Sequence, residues 1–104
     1  MTDRELLEAA AKAAGMDIEW QPCGWAHNNE TGCEWNPLTD DGDALRLAVK
    51  LRLEVVPLEG GGVDVIRWVN GMESVHVSES SIDELAATRR AIVRAAAEIG
   101  RSME

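Results

Sequence analysis

Apolar residues recur along this chain with two different periods, and the switches between them divide it into elements. Leu6, Leu7, Ala10 and Ala14 fall at helical spacing behind Thr2-Asp3-Arg4-Glu5, a threonine followed three residues later by glutamate, which is the spacing of a capping box. The pattern predicts a helix over 3–14, ended at Gly15. Met16 to Gln21 follows as a brief extended piece, with Ile18 and Trp20 on one side by the two-residue period. Pro22, Gly24, Asn28, Asn29, Gly32, Asn36 and Pro37 then crowd residues 22–38, and turn chemistry this dense predicts a long loop.

Thr39-Asp40-Asp41-Gly42-Asp43 offers N-cap residues and carboxylates where a helix dipole favours them, and Ala44, Leu45, Leu47, Ala48, Val49 and Leu51 continue as a second helix. From Arg52 the period is two. Leu53 and Val55 alternate with Glu54 and Val56, a glycine-rich turn leads to Val63–Val69, and Asn70-Gly71 signals a tight hairpin into Met72–Val77. Ser80 and Ser81 stand three residues before Asp83 and Glu84, and Ile82, Leu85, Ile92, Val93, Ala96 and Ile99 recur at helical spacing as far as Gly100. A long amphipathic C-terminal helix is expected. The fold class is α+β: a small antiparallel sheet, a three-stranded meander to which the short N-terminal strand can add, lying between helical layers as an α/β/α sandwich. A sheet this small hides its apolar faces only under helices. Apolar residues on both faces of the middle strand, Val63, Ile66, Trp68 and Val69, place helices on both sides.

Trp35-Asn36-Pro37-Leu38-Thr39-Asp40-Asp41-Gly42-Asp43-Ala44-Leu45-Arg46-Leu47-Ala48-Val49, then the hairpin, then Ala87-Thr88-Arg89-Arg90-Ala91-Ile92-Val93-Arg94-Ala95-Ala96, resembles the phage ABA sandwich domain family over residues 35–101. The resemblance implies the same layered fold and a phage or prophage origin. It carries no catalytic motif and assigns no functional residue.

With 104 residues, 45% hydrophobic and 28% charged, the chain has the size and balance of one folded domain, 1–104. The net charge of -9 is lopsided. Residues 1–45 hold ten acids against Arg4 and Lys12, whereas residues 46–104 hold nine acids against eight bases. Clustered Lys and Arg, which binding to nucleic acid or an anionic membrane needs, are absent. No apolar run approaches the roughly 20 residues that cross a bilayer, and MTDRELLEAA lacks the form of a secretory signal. A cytoplasmic protein of a bacterial host is expected, where a Cys23–Cys33 disulfide is disfavoured.

The densest chemistry lies in CGWAHNNETGCEW. Cys23, His27 and Cys33 form C-x3-H-x5-C, and a structural zinc would need a fourth ligand such as His76, Glu30 or Glu34. Recognised zinc modules pair their ligands in C-x2-C knuckles, and none occurs, so two free thiols in a loop, buried or half-buried, is the expectation. No cofactor follows, with zinc as the alternative. Neither is a cysteine nucleophile with His27 as its base supported, because no oxyanion donor can be identified. Trp20, Trp25 and Trp35 fall close together in a chain without Phe or Tyr; at least one should plug into the core, while Trp25, beside Gly24, is a candidate anchor for a partner. Glu30, Asp40, Asp41 and Asp43 join it as partner-binding candidates, although Asp40, Asp41 and Asp43 also suit a helix start. Arg89 projects into an apolar stripe, where it either snorkels or pairs with an acid from the sheet or the second helix, with an internal anion site as the alternative. The expected function is a non-enzymatic protein-interaction module acting on a protein partner or by self-association. The alternatives are a zinc-stabilised domain and an acidic DNA mimic that inhibits a host nuclease or DNA-binding protein.

Overall fold

The computed structural model describes residues 1–103. Helix α1 spans Asp3–Ala14, strands β1, β2 and β3 span Ile18–Trp20, Ala26–Asn28 and Cys33–Trp35, and helix α2 spans Asp41–Lys50. Strands β4, β5 and β6 cover Glu54–Pro57, Gly62–Val69 and Met72–Ser80, and helix α3 covers Glu84–Arg101. The result is an α+β fold of three helices flanking two antiparallel three-stranded sheets, ordered β1-β2-β3 and β4-β5-β6. The Cα radius of gyration is 13.3 Å, close to the roughly 13 Å of a single packed unit of this length. No helix among the described residues is long and apolar enough to cross a membrane.

The capping box forms as its spacing dictates. Thr2 Oγ1 accepts from the Glu5 backbone N–H, and Glu5 Oε1 accepts from that of Thr2, each at 3.1 Å. The hydrogen bonds from Thr2 hold the Glu5 carboxyl below its ordinary pKa. Any stability from this shift is therefore present above the unfolded value and lost as pH falls through the folded one. At the other end Gly15, at φ 67°, makes the left-handed cap.

Residues 22–38 differ from the loop expected. They contain β2 and β3, and the N-terminal strand pairs with β2 rather than joining the meander. Pro22, Gly24, Asn28, Asn29 and Gly32 belong to two tight reversals, closed by Gln21 N–H to Trp25 O and Gly32 N–H to Asn28 O, both 2.9 Å. Strands β2 and β3 are three residues long, too short to display a period of two.

The hairpin forms where Asn70-Gly71 predicts it, with Val69 opposite Met72 and both turn residues at positive φ, as a two-residue hairpin turn demands. The two faces of β5 differ. Val63 and Val65 are buried on the side that α3 covers, whereas Trp68 on the other side is 51% exposed.

Helix α3 occupies the centre, packed against α1, α2 and the second sheet. Ala87, Ala91, Ile92, Val93, Ala95, Ala96, Ala97 and Ile99 are all buried, and a helix apolar on nearly every side is one surrounded by others. It starts later than the serines suggest. Asp83 is the N-cap, accepting from Ala86 N–H at 3.0 Å, because Ser80 is still held in the β6 ladder opposite Gly62. Ile82 and Leu85 consequently lie in solvent, not in the apolar stripe.

Arg89 pairs with an acid. Its Nε donates to Leu38 O at 2.9 Å and its guanidinium to Asp41 Oδ1 at 2.6 Å, tying α3 to the start of α2. Replacing Arg89 with leucine keeps the bulk but strands the carbonyl and is expected to cost about 1–3 kcal/mol, read as a lower urea midpoint with an unchanged slope. Lysine, without the planar fork, should recover only part of it. Two further arginines of α3 are engaged within the chain: Arg94 pairs with Glu79, and Arg90 with Asp3 at 3.3 Å.

Candidate functional site

The register of the first sheet decides what the cysteine and histidine positions can do. His27 lies opposite Glu19 on one side and Glu34 on the other, while Asn28 lies opposite Ile18 and Cys33. Successive residues of a strand point to opposite faces, so His27 and Cys33 project on different sides of the sheet. Cys23 belongs to the Gln21–Trp25 reversal beyond the Trp20–Ala26–Trp35 row, at the other end of the sheet from Cys33. The three residues do not converge, and both thiols are exposed instead of buried or half-buried. Among the described residues, no group of three His, Cys, Asp or Glu side chains is placed to hold a metal ion.

The tryptophans divide by role. Trp35 is the core plug at 4% exposure; Trp20 is half-buried with Arg4 stacked on its ring at 4.5 Å; Trp25 is 37% exposed near the hairpin tip.

What the chain does assemble is a cleft of about 800 Å³ between β2–β3 and α2, closed at one end by Ala14, Gly15 and Met16. That volume falls among ligand sites of roughly 300–1,000 Å³. Its helical wall is the α2 stripe Asp40, Asp43, Arg46, Leu47 and Lys50; the facing wall includes Asn28, Glu30, Cys33, Glu34 and Trp35. Glu30, Asp40 and Asp43 are thus brought together with Cys33, while Trp25, His27, Cys23 and Asp41 lie outside.

Local chemistry fixes the walls. Asp40 caps α2 by accepting from Asp43 N–H at 2.8 Å. Asp43 accepts from Asn36 N–H at 3.0 Å and from Arg46 at 2.7 Å, so one carboxylate joins the end of β3 to the helix. The bond from Arg46 to Asp43, with the charges of Asp43 and Asp40 beside it, raises the guanidinium pKa above its ordinary value. Arg46 therefore stays charged, and its charge is balanced by the Asp43 carboxylate it bonds. Glu30 and Glu34 carry no ion pair among the described residues, and neither does Lys50. Asn28, only 8% exposed, spends its side-chain oxygen on Glu30 N–H at 2.9 Å. The cleft therefore combines an apolar floor with a rim whose uncompensated charge is mainly acidic.

Arg46 and Lys50 escape a reading by motif. The signal for them is the spacing of Asp40, Asp43, Arg46, Leu47 and Lys50, which lines up one side of a helix.

No family model, curated protein or solved structure matches the chain.

Proposed function

We propose that the protein is a non-enzymatic interaction module that takes up a segment of a partner protein in the cleft between β2–β3 and α2. The observation that carries this reading is the pairing of an apolar floor, Trp35 and Leu47, with the unpaired carboxylates Glu30 and Glu34 on the rim. A segment that suits it has an apolar side chain to enter the cleft and Lys or Arg beside it to meet the rim; charge complementarity of this kind sets on-rate and specificity. The resemblance to phage ABA sandwich proteins makes a phage or prophage setting part of the same proposal, with the partner in the bacterial cytoplasm.

Selection from a random dodecamer peptide library on immobilised protein tests the reading. Enrichment of apolar residues flanked by Lys or Arg is expected, with binding that weakens as salt rises and is lost in the double variant Glu30→Lys/Glu34→Lys. Neither side chain has an ion pair to lose, so the variant should fold normally. Selected peptides that bind the double variant as well as the parent would overturn the proposal.

A further inference from the structure

The second sheet presents a different face to solvent, away from α3. Glu54 lies opposite Ile66, Ile66 opposite His76, and Val56 opposite Asp64, which in turn faces Ser78. These residues share a side because directly paired positions do. Trp68 joins them, its indole N–H donating to Glu54 Oε1 at 3.1 Å.

Glu73 reaches this face through an irregularity. The register shifts between Arg67 and Trp68, so that Arg67 pairs with Val75 but Trp68 with Glu73, leaving Ser74 as an extra residue. An extra residue in a ladder re-aims the side chains beyond it, and Glu73 here contacts His76 Nδ1 at 2.9 Å. The ring of Trp68 thus stands between two strands that each supply a carboxylate.

We infer that this face is an arginine-reading surface, with Trp68 as the stacking platform and Glu54 and Glu73 as the carboxylates that receive a partner's guanidinium. The indole N–H is already bonded, so what Trp68 offers, at 51% exposure, is its π face. Cations bind there, tryptophan being the best of the aromatic platforms. The chain already does this once, with Arg4 over Trp20. Neither Glu54 nor Glu73 is paired with a Lys or Arg among the described residues; the contact that Glu73 makes is to His76. A guanidinium fits better than an ammonium because its plane stacks while its fork bonds carboxylate oxygens. The inference shares with the proposed function only the idea of a basic protein partner, and it uses residues outside the cleft.

The test follows the indole N–H signals of ¹⁵N-labelled protein while N-acetyl-Gly-Arg-Gly-amide is added, with the citrulline and lysine analogues as comparisons. The Trp68 signal is identified by its loss in Trp68→Leu, a substitution at an exposed site. Arginine is expected to shift that signal saturably, lysine less, and citrulline not at all. In Glu54→Gln the shift should disappear while the signals of Trp20, Trp25 and Trp35 stay unmoved. In Glu30→Lys/Glu34→Lys it should persist, which separates this surface from the cleft. Equal responses to arginine and citrulline, a common drift of all four indoles, or no response of Trp68 would each overturn the inference.

Discussion

Alanine in place of Trp35 is expected to destabilise the protein by about 3–5 kcal/mol, the range for removing a buried large aromatic side chain. Trp35 is 4% exposed and belongs to the main hydrophobic cluster with Ala26, Leu47 and Ala48. It is also the last residue of β3, paired with Ala26. Its loss removes the side chain that seats a three-strand sheet too small to stand alone. Total stability for a domain is typically about 5–15 kcal/mol, so the variant should lie near the edge of folding at 37 °C. Chemical denaturation with circular dichroism reads the shift. Trp25→Ala, at the partly exposed site, should by contrast stay within about 0.5 kcal/mol of the parent. Equal costs for the two would mean that the small sheet is not held through Trp35.

Gly100→Ala should destabilise as well, against the usual rule. Alanine is favoured over glycine in a helix interior by about 1 kcal/mol, and Gly100 lies within α3. A Cβ there would stand 1.9 Å from the Ala9 carbonyl oxygen and 2.8 Å from its carbon, both backbone atoms of α1. No rotamer relieves that contact. The seam between the helices is built of small residues, with Ala10, Ala96 and Ala97 all essentially inaccessible. Letting the methyl in means moving one helix away from the other along the most extensive helix contact in the molecule. Overpacking of this kind costs about 1–3 kcal/mol, and with a rigid backbone as the obstacle the upper end is expected net of the propensity gain. A thermal midpoint lowered by several degrees checks it. Unchanged or raised stability would show that α1 and α3 are not so closely apposed.

How much of this was legible in the sequence depends on how each feature is encoded. Local signals carried through: the Thr2–Glu5 box and the Asn70-Gly71 turn each fit into a few residues, and the structure holds both. Of the partners open to Arg89, the structure supplies an acid, Asp41 of the second helix, because an arginine inside an apolar stripe is stabilised by pairing. β2 and β3 were hidden because three-residue strands between glycine turns show no periodicity. Spacing alone puts Ile82 in the helical stripe, because it carries no sign that the β6 ladder still holds Ser80. Clustering in sequence says least about geometry at Cys23, His27 and Cys33, since one step along a strand reverses the face and one hairpin separates the ends; the thiols are free as expected, but exposed rather than buried. The cleft, in turn, joins segments from the end of α1, from β2–β3 and from α2, and its existence depends on tertiary packing. Its outline on α2 was present as a 3-and-4 spacing of Asp40, Asp43, Leu47 and Lys50 that a search for motifs passes over.

The exposed thiol of Cys33 on the cleft wall permits the most direct measurement. In a Cys23→Ser background, which leaves one reactive cysteine, the rate of alkylation of Cys33 by N-ethylmaleimide is followed while a library-selected peptide is added. If partners enter the cleft, alkylation slows in proportion to the fraction of protein bound, and a bulky adduct placed on Cys33 beforehand blocks the peptide. A peptide that saturates the protein while Cys33 reacts at its original rate, and that still binds the alkylated form, would contradict the cleft as the binding site.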